Sequence, residues 1–137
     1  MKKIYGVILF FTVLLALIIG IVLVIKFSEK TPEKPKFDLK SLDEELTKAG
    51  NKLVVIDFFA IWCGPCNLIN PKFEEISQKM KKTVVFISVD VDQSLDIAEK
   101  FHISAMPTFY FMKNKQNITK MIGSDVEHLQ KLIDKYA

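Results

Sequence analysis

From Ile4 to Ile25 the chain runs 22 residues without a charge, relieved only by Tyr5, Gly6, Thr12 and Gly20. As a helix this run would span about 33 Å, close to the hydrocarbon thickness of a bilayer. A cleaved signal peptide has a shorter apolar core followed by a small-residue cleavage site. The exit here is Val24-Ile25-Lys26-Phe27-Ser28, with no small pair in place. The pattern therefore predicts an uncleaved single-span anchor over residues 1–26, with a cleaved signal as the alternative.

Residues 27–36 form a polar linker with Pro32 and Pro35 and no periodicity. Residues 37–137 alternate between the two secondary-structure periods. Lys36-Phe37-Asp38 reads as a short first strand. Ser41-Leu42-Asp43-Glu44 is a capping-box pattern opening a helix that Gly50-Asn51 ends. Leu53 to Phe59 is an apolar, β-branched and aromatic run typical of a buried strand. After it come Leu68, Ile69, Phe73 and Ile76 at helical spacing, with Pro71 expected to kink that helix without ending it. Thr83 to Val89 predicts a strand, Leu95 to Phe101 a short helix, and Thr108 to Met112 and Asn117 to Ile122 a hairpin. Ser124-Asp125-Val126-Glu127, a second capping-box pattern, opens a closing amphipathic helix to Tyr136. Strands alternating with helices make an α/β fold, a mixed central sheet flanked by helices on both faces. The first three strands, counting one at residue 37, are expected to be parallel and the last two antiparallel.

Charge alters this picture little. Lys2, Lys3 and Lys26 are three of the nineteen basic residues, and all sixteen acidic residues follow them, so the rest of the chain is balanced. Nothing in it resembles a nucleic-acid-binding surface.

The two cysteines, Cys63 and Cys66, are the only ones in the chain and sit where the buried strand gives way to a helix. Pro65 suits the first helical position, where its missing N–H costs nothing. Cys63 then lies at the helix N-terminus, where unpaired N–H groups and the helix dipole favour a thiolate, and Cys66 lies one turn further in. Cys63 is thus the expected nucleophile and Cys66 the resolving thiol. A zinc site would need a second such pair or suitably spaced histidines, and His102 and His128 offer neither. As an inert staple, a bridge across so short a loop would constrain the unfolded chain little. No metal and no bound cofactor is implied.

Asp57-Phe58-Phe59-Ala60-Ile61-Trp62-Cys63-Gly64-Pro65-Cys66, with Met106-Pro107-Thr108-Phe109 far downstream, closely resembles the thioredoxin family over residues 37–137. The resemblance implies the thioredoxin fold and protein-disulfide reductase activity by dithiol–disulfide exchange, on disulfide-containing protein substrates with an electron donor such as a thioredoxin reductase. From the residues alone Asp57 could be a strand-end carboxylate facing solvent. The resemblance implies instead that it lies buried beneath the disulfide and moves a proton to or from Cys66. It further implies that Pro107 is cis, that the backbone before it pairs with substrate, and that Trp62, Gly64, Pro65, Ala105, Met106, Pro107 and Gly123 form an apolar docking rim.

Departures from the family pattern are few. Asn67 replaces the usual lysine after the second cysteine, Lys115 replaces a turn glycine, and Ser88 stands where a charge often tunes the buried Asp. Gly-Pro between the cysteines resembles reducing members; a disulfide oxidase or isomerase, or a non-catalytic subunit of a membrane complex, are the rival readings. The acidic residues of Asp90-Val91-Asp92 are expected to be merely solvated. Lys2 and Lys3 favour a cytoplasmic N-terminus, which puts the redox domain in a lumenal or extracytoplasmic compartment. Five lysines between Lys26 and Lys40 argue the other way. Asn117-Ile118-Thr119, the one glycosylation sequon, is expected in an exposed hairpin turn.

Overall fold

The computed structural model describes residues 2–27 and 37–137, and the chain divides into two compact units, Met1–Pro35 and Lys36–Ala137. The first holds α1, Lys2–Phe27, a helix of 26 residues. Among the described residues no helix is long and apolar enough to cross a membrane; on α1 exposure is described only at residues 6, 8 and 11–22. The membrane span expected from the sequence is therefore not a finding of the structure. The expected linker lies, beyond Phe27, outside the described residues.

The second unit is built around β1, Leu53–Phe59, whose first six residues are all buried. Val55, Ile56 and Phe58 have no exposure at all, and each such side chain contributes about 1.5–3 kcal/mol relative to an exposed one. A strand buried on both faces needs covering on both. The remaining elements are α2 (Leu39–Ala49), α3 (Gly64–Met80), β2 (Val84–Asp90), α4 (Leu95–Lys100), β3 (Thr108–Lys113), β4 (Gln116–Ile122) and α5 (Val126–Tyr136). The sheet order is β2-β1-β3-β4. β2 runs parallel to β1, while β3 runs antiparallel to both β1 and β4. Alternate residues of β1 feed two cores. Val54, Ile56 and Phe58 meet Leu42 and Leu46 of α2 and Ile97 of α4. Leu53 and Val55 meet Ile69, Phe73 and Ile76 of α3 and Leu129 and Ile133 of α5.

Several sequence expectations shift. Phe37 and Asp38 form no strand, so among the described residues only β1 and β2 are parallel; Lys36 lies outside them. Asp38 instead caps α2, its side chain accepting from both the N–H and the hydroxyl of Ser41 at 2.8 Å. The helix therefore begins at Leu39, ahead of the expected capping box. α5 likewise starts behind Asp125, whose carboxylate accepts from the His128 N–H, and not behind Ser124. In both cases a carboxylate supplies the cap, favoured by the positive end of the helix. Gly64 takes the first helical position of α3, and Pro65 follows it. Pro71 lies inside that helix, which continues to Met80.

The hairpin turn is Asn114-Lys115, with φ of 52° and 62°. Two positive φ values in a two-residue loop match a type I′ turn, which follows the natural strand twist. Lys115 thus adopts a conformation that suits glycine. Asn117 lies on β4 opposite Met112, not in the turn, and is exposed. A register shift beside Met112 leaves Ile118 without a partner on β3.

Candidate active site

β1 delivers the chain to the cysteines. Beyond Phe59, Ala60 is fully buried and its carbonyl accepts from the Cys63 N–H at 3.1 Å, a tight turn that ends at the helix. Cys63 is the N-cap residue of α3, and its sulfur accepts from the Cys66 N–H at 3.2 Å. The two cysteines form a disulfide, with an S–S length of 2.03 Å and Cα atoms 5.3 Å apart. Cys63 is 5% exposed and Cys66 not at all. The sulfur nearer solvent therefore sits where helix N–H groups converge, an environment that stabilises a thiolate.

Asp57 is the only buried carboxylate among the described residues, at 1% exposure. It pairs in register with Ser88 of β2 and Phe109 of β3. By strand alternation it faces the side of the sheet that α3 and α5 cover. Its Oδ1 has no hydrogen-bond partner. Burial alone raises its pKa from 3.8 to about 7, because no cation offsets the cost of desolvating the charge.

Of the residues expected at the docking rim, Trp62 is 69% exposed, Gly64, Pro65 and Ala105 are also exposed, and Pro107 is buried. At Gly64 an added Cβ would meet nothing within 4 Å, so packing within the chain does not demand a glycine there. Met106 packs against the cluster that holds both cysteines. The Met106–Pro107 peptide is cis. The Pro107 carbonyl accepts from the Gly123 N–H at 2.9 Å, joining the ends of β3 and β4. Gly123 has a φ of 105°, a conformation that disfavours any side chain.

Asp92 was not anticipated at this site. Its Oδ2 accepts from the Trp62 indole N–H at 2.8 Å, so the acidic end of β2 is not merely solvated. Asp90 also works structurally, accepting from the Asp92 N–H at 3.0 Å and the Gln93 side chain at 3.2 Å. The sequence carries no signal for this, since a strand-end Asp looks the same whether solvated or bonded. His102 lies just past α4, exposed and with a φ of 51°.

The family model described as Thioredoxin matches residues 34–135. The chain belongs to the thioredoxin family. It is similar to a thioredoxin of Ophiophagus hannah, 43% identical over 99 residues that cover 72% of this chain and 93% of that one. Thioredoxin 1 of Plasmodium falciparum is 47% identical over 87 residues, covering 64% and 83%. Among solved structures, Fasciola hepatica thioredoxin superposes with a TM-score of 0.72 at 34% identity, covering 74% of this chain and 97% of that one. Reduced Schistosoma mansoni thioredoxin pre-protein gives 0.69 at 41% identity, covering 73% and 93%. The matched region contains the Cys63–Cys66 pair. The protein is thus a protein-disulfide oxidoreductase of the thioredoxin type with a redox-active cysteine pair, a family that acts on disulfide substrates with reductase partners.

Proposed function

We propose that this protein is a membrane-anchored thioredoxin in which Cys63 attacks, Cys66 resolves and Asp57 handles the proton. The observation that carries the catalytic part is the pairing of a slightly exposed N-cap sulfur with a fully buried partner one helical turn away. In the reducing direction the Cys63 thiolate attacks a substrate disulfide, forming a mixed disulfide and releasing one substrate thiolate. Asp57, as carboxylate, accepts the Cys66 proton. The Cys66 thiolate then attacks the Cys63 sulfur, closing the internal disulfide and releasing the second thiolate. Two electrons pass to the substrate, and a reductase restores the dithiol. A pKa near 7 suits Asp57 to take and return a proton at neutral pH. Trp62, Gly64, Pro65, Ala105, Met106, Pro107 and Gly123 form the docking rim, with the backbone before Pro107 adding a strand to the bound segment.

The anchor reading rests on the uncharged run Ile4–Ile25 within a helix that extends from Lys2 to Phe27. Membrane lipid would surround residues 4–25, with the redox domain on the lumenal or extracytoplasmic side.

Insulin disulfide reduction by the full chain in detergent, against Cys63→Ser, tests the chemistry. Loss of activity in the variant is expected, and full activity would overturn the reading. Alkaline carbonate washing of membranes tests the anchor: the chain should stay with the lipid, and release into the wash would refute it.

A further inference from the structure

We propose that Ser94 is a positioning residue for substrate docking: it braces the loop Asp90–Ser94 so that Asp92 holds Trp62 in place beside Cys63. The inference rests on the reading of Trp62 as part of the docking rim.

The Trp62–Asp92 hydrogen bond lies between two exposed side chains. Such a bond competes with water and orients a ring only if its acceptor is itself held. The loop that carries Asp92 is fixed at both ends. At one end the Val91 N–H donates to the Phe59 carbonyl at 2.9 Å, on the strand that leads to the cysteines. At the other end stands Ser94, 2% exposed. Its N–H closes the loop onto the Asp90 carbonyl at 2.9 Å, and its own carbonyl accepts from the N–H groups of Ile97 and Ala98, opening α4.

The Ser94 hydroxyl shows what that end serves. A serine at a helix N-cap ordinarily turns its hydroxyl to the first free N–H groups of the helix. Ser94 occupies the N-cap of α4 but makes no side-chain cap bond. It donates instead to the Phe37 carbonyl at 2.6 Å, 57 residues away in sequence. Two residues on, Asp96 reaches the same segment as an acceptor, its Oδ2 accepting from the Leu39 N–H at 3.2 Å. A six-residue helix thus directs both of its N-terminal polar side chains to residues 37–39. Phe37 in turn packs against the core cluster that contains both cysteines. A continuous set of bonds therefore runs from Phe37 through Ser94 and the Asp90 loop to the Trp62 ring.

Trp62 is the only tryptophan in the chain, so its fluorescence reports its own environment. In the full chain, Ser94→Ala should red-shift Trp62 emission and lower its anisotropy, and Ser94→Thr, which keeps the hydroxyl, should restore both. With reduced protein and insulin as substrate, Ser94→Ala should raise KM about threefold at unchanged kcat, the size of effect one lost neutral hydrogen bond produces. In a Trp62→Ala background the same change should add nothing to KM, although any loss of stability it causes would persist. Unaltered Trp62 emission and anisotropy in folded Ser94→Ala would overturn the brace, as would a KM effect that persists without Trp62. Failure of the docking reading looks different: Trp62→Ala alone would then leave KM unchanged, while the fluorescence comparison would still judge the brace.

Discussion

Replacing Asp57 by asparagine should make the domain more stable at alkaline pH and leave its stability almost unaltered in acid. The unfolded carboxyl ionises near 3.8 and the folded one near 7. Below the first value both states are protonated, and the substitution exchanges one neutral polar group for another. As pH rises between the two values the unfolded chain ionises while the folded one does not, so stability falls. Above about 7 the loss is complete. At about 1.36 kcal/mol per pH unit the gap corresponds to roughly 4 kcal/mol. An amide side chain at this position cannot ionise, so the variant escapes this loss. Urea unfolding of the oxidised protein, followed by Trp62 fluorescence, measures the difference between variant and parent at two pH values. It should widen by about 3 kcal/mol from pH 5 to pH 8.5. The cost of burying the amide cancels in that comparison, being present at both. The same variant should slow closure of the mixed disulfide and remove the bend near neutrality from its pH–rate profile. A stability difference that stays constant between the two pH values would refute the claim that burial holds this carboxyl up, and an unchanged rate profile would remove Asp57 from the proton step.

Alkylation of the reduced protein at mildly acidic pH should label Cys63 before Cys66, read by peptide mass mapping; the reverse order would exchange their roles. Lys115 also donates to Asp43 Oδ1 at 2.8 Å, so in an Asp43→Ala background, where that ion pair is already gone, Lys115→Gly should stabilise the domain by about 0.5 kcal/mol in urea unfolding, since relief at a positive φ slightly outweighs the glycine's greater freedom when unfolded. A lower urea midpoint would show that the turn is not strained. Protease added to sealed vesicles should leave the redox domain intact, and its digestion would place that domain on the cytoplasmic side. In glycosylating microsomes the exposed Asn117 should gain a glycan that Asn117→Gln lacks, and an unmodified but protected domain would remove Asn117 as an acceptor.

How far the chain could be read in advance depended on the range of the interactions involved. The run Leu53–Phe59 declared its strand because it is short, β-branched and aromatic and follows the Gly50-Asn51 break, which suits burial on both faces of a sheet better than a helix. The placement of Cys63 at the start of a helix followed from the strand before it and the apolar spacing after it. Helix starts were less legible. Ser41 and Ser124 fit a local pattern, yet Asp38 and Asp125 took the caps, and only the path of the chain decides between adjacent candidates. The expected strand at residue 37 failed for a related reason: Asp38 satisfies α2, and the Phe37 carbonyl is taken by Ser94. The Trp62–Asp92 and Phe37–Ser94 bonds join residues 30 and 57 positions apart. Contacts of that range leave no trace in a linear pattern, so Asp92 reads as a solvated carboxylate and Ser94 carries no signal at all.

Asp57 shows how two of these levels combine at the site. A charge opposite it on β2 would have pulled its pKa back toward the ordinary carboxylate range or pushed it higher, according to sign. The residue in register there is Ser88, neutral and exposed, and no charge–charge effect contributes to its pKa. Desolvation alone therefore sets its proton affinity. Such a carboxyl is sensitive to water and insensitive to salt, because no charge–charge interaction is available for ions to screen. On the proposed docking reading, a substrate segment that excludes water from the site should raise the Asp57 pKa further. Once the substrate leaves, water returns and the proton is released more readily. On the proposed roles of the rim and of Asp57, docking would be linked to proton transfer through solvent access to the buried carboxyl, with no second charge in the balance.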